Sequence, residues 1–369
     1  MERTETGLRE ALFTDAKTGL ASFREWINPL LREHLDAAIK EAAKDDELVS
    51  GALTEVRDMI LAGGKRLRAA LMCAGYFAAG GTDEERILRA SMSIELVHAF
   101  LLIHDDVIDR DGLRHGRESL HARYARIGRS VFQREGDAVH FGDSIAIIVG
   151  DMVAALGNDL IFRSGFPHDR VFRSLSELQR IVSFTVIGQA MDISFEFRAG
   201  IGREDILRMY EYKTAKYTVE GPLTLGALLA GADDGIVAAL GKYAVPTGVA
   251  FQIRDDILGA FGTQEKLGKP VGSDIEEGKR TLPVLFALER AGRSDKAALR
   301  HILSSGHLKQ GDLDRFRSIL RESGALDLST DSMVQLVEEA KRSISTADIS
   351  GDAKGFLISV ADYISERNF

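Results

Sequence analysis

The stretch Ala99-Phe100-Leu101-Leu102-Ile103-His104-Asp105-Asp106-Val107-Ile108-Asp109 sets an acidic cluster at the end of an apolar run. At about 3.6 residues per turn, this spacing predicts a helix with Asp105 and Asp109 stacked on one face and Asp106 about 100° round. Two carboxylates then point the same way. Burying them unpaired is costly, so the cluster needs a counter-charge or opens on water. Oxygen-only ligands suit Mg2+, which keeps several waters and completes its shell with substrate phosphate. A solvated acidic helix end is the alternative for this cluster taken alone. A second pair, Asp255-Asp256 in Phe251-Gln252-Ile253-Arg254-Asp255-Asp256-Ile257-Leu258, follows 150 positions later and favours the metal reading.

Outward from these clusters, apolar residues recur at helical spacing, as in Leu30, Leu31, Leu35, Ala38 and Ile39, or Leu53, Val56, Met59 and Ile60. No two-residue alternation is long enough for a sheet. Six prolines and 7% aromatics among long Ala/Leu/Ile/Glu/Arg stretches also favour helix. The expected architecture is all-α, a single bundle of roughly ten or more helices with short links around a central apolar cavity. Residues 21–369 form that domain, and 1–20 are set apart as a flexible N-terminal segment. Segment 124–142, with Gly128 and Gly136, reads as a surface loop, and 259–281 as an irregular Gly-rich connection.

Composition narrows the function classes. The net charge of −9 makes general nucleic-acid binding improbable. The single cysteine, Cys73, rules out an internal disulfide and fits a reducing, cytoplasmic location. No apolar run approaches the roughly 18–20 residues needed to span a bilayer, and the N-terminus lacks the basic-then-apolar order of a signal peptide.

A carboxylate-bound metal makes chemical sense if it meets an anion, and basic groups are present for one. Gly63-Gly64-Lys65-Arg66-Leu67-Arg68 is a glycine turn leading into a helix, where free backbone N–H groups, Lys65 and Arg68 could cradle a diphosphate. Ordinary solvated basic residues are the alternative. Arg114-His115-Gly116-Arg117 follows the first acidic cluster, Lys213-Thr214 follows a helical stretch, and Lys269 lies after the second pair. Gln189 and Asp192 sit at i and i+3 in an apolar helix, where polar side chains need partners.

The ordered set GGKRLR, ELVH, DDVID with RHG, GDM, GQAMD, KT, FQIRDD and GKP…DIEEGKRT resembles the trans-isoprenyl (polyprenyl) diphosphate synthase family over residues 50 to 285. The resemblance implies an all-helical homodimer that condenses isopentenyl diphosphate with an allylic diphosphate (dimethylallyl, geranyl or farnesyl), using three Mg2+ ions. It implies that Asp105 and Asp109 bind two ions and Asp255 the third, with Asp106 and Asp256 in support. Arg114, Lys213 and Lys269 would neutralise the allylic diphosphate. Lys65, Arg68 and His98 would hold isopentenyl diphosphate, a satisfied core histidine being the alternative for His98. Thr214 and Gln252 would line the reacting centre, assisted by Gln189.

Two departures stand out. His115 occupies the place of a second arginine, with Arg117 near enough to compensate. Gly259 replaces the last aspartate of the second motif, and Asp274 could supply the carboxylate instead. Phe100 and Leu101, five and four residues before Asp105, would form the floor beneath the growing chain, implying a short-chain C20 or C15 product. The rivals are a class I terpene cyclase and a non-catalytic subunit of a synthase heteromer. A cyclase needs no second diphosphate site and typically has a glutamate where Thr263 stands, whereas such a subunit tends to lose its acidic ligands.

Overall fold

The computed structural model describes residues 7–366, apart from 115, 199 and 263–271. It is built almost wholly of helices: α1 (Leu8–Leu12), α2 (Ala16–Ala42), α3 (Glu47–Ala62), α4 (Leu67–Ala78) and α5 (Glu84–Ile108). After a two-stranded hairpin, β1 (Leu113–Arg114) with β2 (Arg117–Glu118), come α6 (Leu120–Gly128), α7 (Glu135–Phe162), α8 (His168–Phe197) and α9 (Arg203–Tyr210). A π-helical stretch, Glu211–Glu220, joins α9 to α10 (Gly221–Ala230), and α11 (Asp234–Phe261) carries the second acidic pair. The chain ends in α12 (Ser273–Glu276), α13 (Leu282–Arg290), α14 (Arg293–Ser304), α15 (Asp312–Glu322), α16 (Ala325–Ser345) and α17 (Gly351–Glu366).

Local chemistry starts several of these helices. Asp15, Asp46, Asp83 and Asp233 each accept N–H groups of the following first turn, capping α2, α3, α5 and α11. The helices that carry the acidic clusters are locked into a ring. α5 packs on α7 and α4, α4 on α10, α10 on α8, and the π-helical stretch on both α8 and α11. Buried apolar side chains form one connected core from Leu8 to Ile364.

Glycines set the closest approaches. A Cβ on Gly226 of α10 would lie 1.8 Å from the Met72 carbonyl oxygen, and one on Gly75 of α4 2.1 Å from that of Leu223. The two backbones are therefore in direct contact. Likewise, a Cβ on Gly188 of α8 would meet the Lys213 nitrogen at 2.2 Å, and one on Gly248 of α11 the Ala215 Cα at 2.4 Å. The π-helical stretch is thus clamped from two sides.

Three expectations are corrected. Segment 124–142 is mostly helical, because Gly128 closes α6 against Ala138 and Phe141 of α7 while α7 runs through Gly136. Within 1–20, residues from Leu8 form α1 and the start of α2, with Leu8, Leu12, Ala16 and Leu20 buried. Burial of these four side chains anchors residues 8–20. Lastly, α5, α7 and α11 are long and apolar enough to cross a membrane by length and composition, since small residues interrupt their apolar runs without lowering mean hydropathy much.

Substituting Gly226 with alanine should destabilise the fold by about 1–3 kcal/mol, because the methyl group forces α4 and α10 apart. Urea denaturation measures this, and an unchanged midpoint would contradict the backbone contact.

Candidate active site

The first acidic cluster closes α5, and its members face different surroundings. Asp105 Oδ1 accepts a hydrogen bond from Gln189 Nε2 at 2.9 Å, which joins α5 to α8. Asp109 caps the helix, its N–H donating to the Asp105 carbonyl at 2.8 Å, so the two carboxylates lie one turn apart as the spacing predicts. Asp106 is turned inward, 1% exposed, against the Arg114 guanidinium, whose Nε donates to Oδ1 at 2.7 Å. Arg114 also reaches Asp111 at 3.3 Å. The arginine expected to meet a diphosphate is thus held by buried carboxylates, and it stays protonated because they outweigh the cost of burial.

The second cluster is wired to the π-helical stretch. Thr214 Oγ1 donates to Gln252 Oε1 at 2.5 Å, and Gln252 Nε2 donates to Asp256 Oδ1 at 2.8 Å. The Tyr210 hydroxyl donates to the other Asp256 oxygen and accepts the Leu282 N–H at 2.7 Å. Asp256 therefore anchors α9, α11 and α13 together, while Asp255 is less buried. Lys213 Nζ donates to Asp192 of α8, and Asp192, Asp105 and Asp109 hold its ammonium protonated against the pull of burial.

Between the two walls lies a residue given no role by the sequence reading. Lys279 Nζ is 2.8 Å from Asp109 Oδ2, 2.5 Å from Glu277 Oε2 and 3.5 Å from Asp274 Oδ1. Asp109, Asp111 and Glu277 bring carboxylate oxygens within 4.8 Å of one another, a group able to hold a metal ion. Their all-oxygen donor set fits Mg2+. Asp274 sits where the missing side chain would be: a Cβ on Gly259 would lie 3.0 Å from its Oδ2.

Arg68 on α4 and His98 on α5 meet around Tyr217, and Lys65 stands just before α4. Arg68 donates to the Tyr217 hydroxyl at 2.9 Å and to Thr218 at 3.0 Å, and its guanidinium lies 4.5 Å from the Tyr217 ring centroid. The His98 ring is 5.9 Å from that of Tyr217. Lys65 Nζ lies 4.7 Å from the ring of Tyr363 on α17. Sequence reasoning passed over both tyrosines, since an aromatic at helical spacing reads as core.

The open helix start expected after Gly63-Gly64 is closed at one of its N–H groups. Glu95 accepts the Ala69 N–H at 3.2 Å and pairs with buried Arg66, which adopts a left-handed conformation (φ 56°). One first-turn N–H of α4 is thus taken from inside the protein, and the side chains of Lys65 and Arg68 carry the charge for an anion there. Arg117 stands across the hairpin from Arg114, and both line a cavity of about 260 Å³ with Glu55, Met59 and Arg123. Phe100 is half-buried with its ring 5.2 Å from that of His104, and Leu101 is half-buried beside it. His115 and Lys269 lie outside the described residues.

Residues 51–320 match the family model for polyprenyl synthetase. A geranylgeranyl pyrophosphate synthase of Geoglobus acetivorans is 31% identical over 92% of this chain and 96% of its own length. A geranylfarnesyl diphosphate synthase of Aeropyrum pernix is 35% identical over 84% of this chain and 92% of its own. The crystal structure of geranylgeranyl pyrophosphate synthase from Corynebacterium glutamicum, complexed with isoprenyl diphosphate and magnesium, superposes with a TM-score of 0.89 at 32% identity, covering 95% of this chain and 99% of that one. The chain belongs to the polyprenyl synthetase family and has the isoprenoid synthase-like fold. Within it, the chain is a prenyl diphosphate synthase, a trans-prenyltransferase of a Mg2+-dependent family.

Burial pushes Asp106 and Glu277 up to about 7 and Asp256 up to about 8, against the opposing pull of Arg114, of Lys279, and of Tyr210 with Gln252. Unfolded carboxyls titrate near about 4, so the metal-free folded chain binds more protons than the unfolded one up to about pH 8. Stability should therefore fall as pH rises. Half-buried His34 and His121, shifted down by loss of solvation, work the other way only below about 6.5. Urea denaturation in EDTA should show a loss on the order of 1–3 kcal/mol between about pH 6.5 and 8.5, partly removed by Asp256→Asn. Rising stability over this window would contradict the burial argument.

Proposed function

We propose that this chain condenses isopentenyl diphosphate with an allylic diphosphate by ionisation, condensation and elimination, giving a short all-trans prenyl diphosphate. The observation that carries this reading is the separation of two anion-binding environments: facing carboxylate walls, and a cationic cluster on α4 and α5 that needs no metal. A cyclase would use only the first. Asp105, Asp109 and Asp255 would hold the metal, three ions with bound diphosphate, and Asp106 and Asp256 would keep those walls in place through Arg114, Tyr210 and Gln252. Bound Mg2+ supplies positive charge where the departing diphosphate becomes negative.

The chain's own groups do the rest. Lys213, Arg114 and Lys269 add fixed charge at the leaving diphosphate. The Thr214 and Gln252 dipoles line the place where positive charge appears on carbon, and the apolar faces of α5 and its neighbours exclude water. Arg68, His98 and Lys65 hold the isopentenyl diphosphate, with His115 or Arg117 at the position of the missing arginine. Phe100 and Leu101 limit tail growth. The geranylgeranyl and geranylfarnesyl synthases among the relatives favour C20 over C15.

A homodimer belongs to the same reading. α7 exposes Val139, Ile147 and Ile148, and α8 exposes Val186, Ile187 and Phe197, an apolar face suited to a second copy. A cytoplasmic location is supported by Cys73, unpaired and fully buried, whose thiol burial pushes up to about 12.

Incubation with Mg2+, isopentenyl diphosphate and each allylic primer in turn, followed by hydrolysis and chromatography, should yield linear C20 alcohol. Cyclic hydrocarbons would establish the cyclase, and no turnover the non-catalytic subunit. Asp274→Ala should raise the Mg2+ concentration needed for half-maximal rate several-fold. An unchanged requirement would mean that Asp274 does not replace the carboxylate missing at Gly259.

A further inference from the structure

Lys279 reaches its position through a built device. The short helix α12 ends in a Schellman motif: Gly278 takes a left-handed conformation (φ 74°), its N–H bonds to the Ile275 carbonyl at 3.0 Å, and the Lys279 N–H bonds to that of Asp274 at 3.0 Å. A Cβ at Gly278 would lie 2.7 Å from the Leu303 carbonyl oxygen, so glycine is required there twice over. The turn returns the lysine toward Asp274 and Glu277, and its ammonium spans the gap to Asp109 on the opposite wall. The side chain is 11% exposed, as is expected of a charge placed between walls rather than free in solvent.

Those carboxylates belong to the same facing walls that the proposed reading gives to the metal. Asp109 is a proposed ligand, Asp274 fills the space of the absent Gly259 side chain, and Glu277 groups with Asp109 and Asp111. One ammonium thus neutralises groups that a divalent cation would neutralise. Both cannot use the same Asp109 oxygen fully at once.

We propose that Lys279 is a resident counter-cation that holds the acidic walls in the ligand-free enzyme and yields them to divalent metal only when a diphosphate arrives. The diphosphate supplies the negative charge that both the displaced ammonium and the incoming metal then share. Metal loading is therefore coupled to diphosphate binding. A protein without this lysine would load metal by itself and pay no exchange cost. The inference rests on the acidic walls being the metal site.

The test is Mn2+ binding, followed by electron paramagnetic resonance, with and without inorganic pyrophosphate as the probe. Wild-type protein should bind Mn2+ weakly alone and much more tightly with pyrophosphate. Lys279→Met should raise the affinity for Mn2+ alone on the order of tenfold and shrink the enhancement by pyrophosphate correspondingly. Equal or weaker Mn2+ binding by a folded Lys279→Met protein would overturn the proposal. If that variant does not fold, Lys279→Gln, which keeps a hydrogen-bonding end without the charge, takes its place: tighter binding of Mn2+ alone than by wild type supports the proposal, and equal or weaker binding overturns it. Failure of the underlying metal reading gives a different result, since neither protein would then bind Mn2+ even with pyrophosphate.

Discussion

Carboxylates that face one another across a partly dehydrated cleft repel, and this repulsion has to be met by cations placed between them. Each of three basic side chains does so here. Arg114 is bracketed by Asp106 and Asp111, Lys213 donates to Asp192 within reach of the charges of Asp105 and Asp109, and Lys279 bridges Asp109 with Glu277 and Asp274. Because every bridge joins different elements, the charge balance also fixes the relative positions of α5, α8, the π-helical stretch and the segment after α12. Removing one cation would leave buried carboxylates facing each other, which costs more than the pair contributes when intact.

The helices can bring these charges together only because glycines let their backbones touch. Gly188 admits the backbone of Lys213 and Gly248 admits Ala215, which holds the π-helical stretch between α8 and α11. A π-helix widens the turn, and such stretches in α-helices frequently mark functional sites. Here it brings Lys213 to Asp192 and Thr214 to Gln252, on two different neighbouring helices. Small residues in the sequence and charged residues in the site are thus parts of one constraint.

Much of this was legible from residue spacing. The stacking of Asp105 over Asp109 follows from the helical repeat, and Gln189 had to find a partner because of its apolar setting; that partner is Asp105. What escaped has a common cause. Lys279 lies in a polar, Gly-rich stretch that reads as a loop, and only the turn at Gly278 reveals where it goes. Tyr210 looks like a core residue until its hydroxyl is seen to join Asp256 to Leu282. Glycines 128 and 136 suggested a loop because local propensity was weighed without the packing of α6 on α7. The segment after Gly64 suggested an open helix start because Glu95, 26 positions from Ala69, cannot be assigned as its cap from spacing.

That internal cap sharpens the contrast between the two proposed diphosphate sites. With the Ala69 N–H taken by Glu95, the proposed site beside α4 would lean on side-chain charge, and its cations rest on aromatic rings: Arg68 on Tyr217 and Lys65 on Tyr363. Such contacts orient a cation without neutralising it, so it keeps its full charge for an incoming anion. The other site is built in the opposite sense, from anions whose charge is already cancelled by ammonium and guanidinium groups. On the proposed reading an anion would enter the first site directly, whereas entry to the second would require a cation exchange. The same reading would place the substrate whose diphosphate departs where metal charge arrives with it, and the substrate that keeps its diphosphate against charges that never leave the protein.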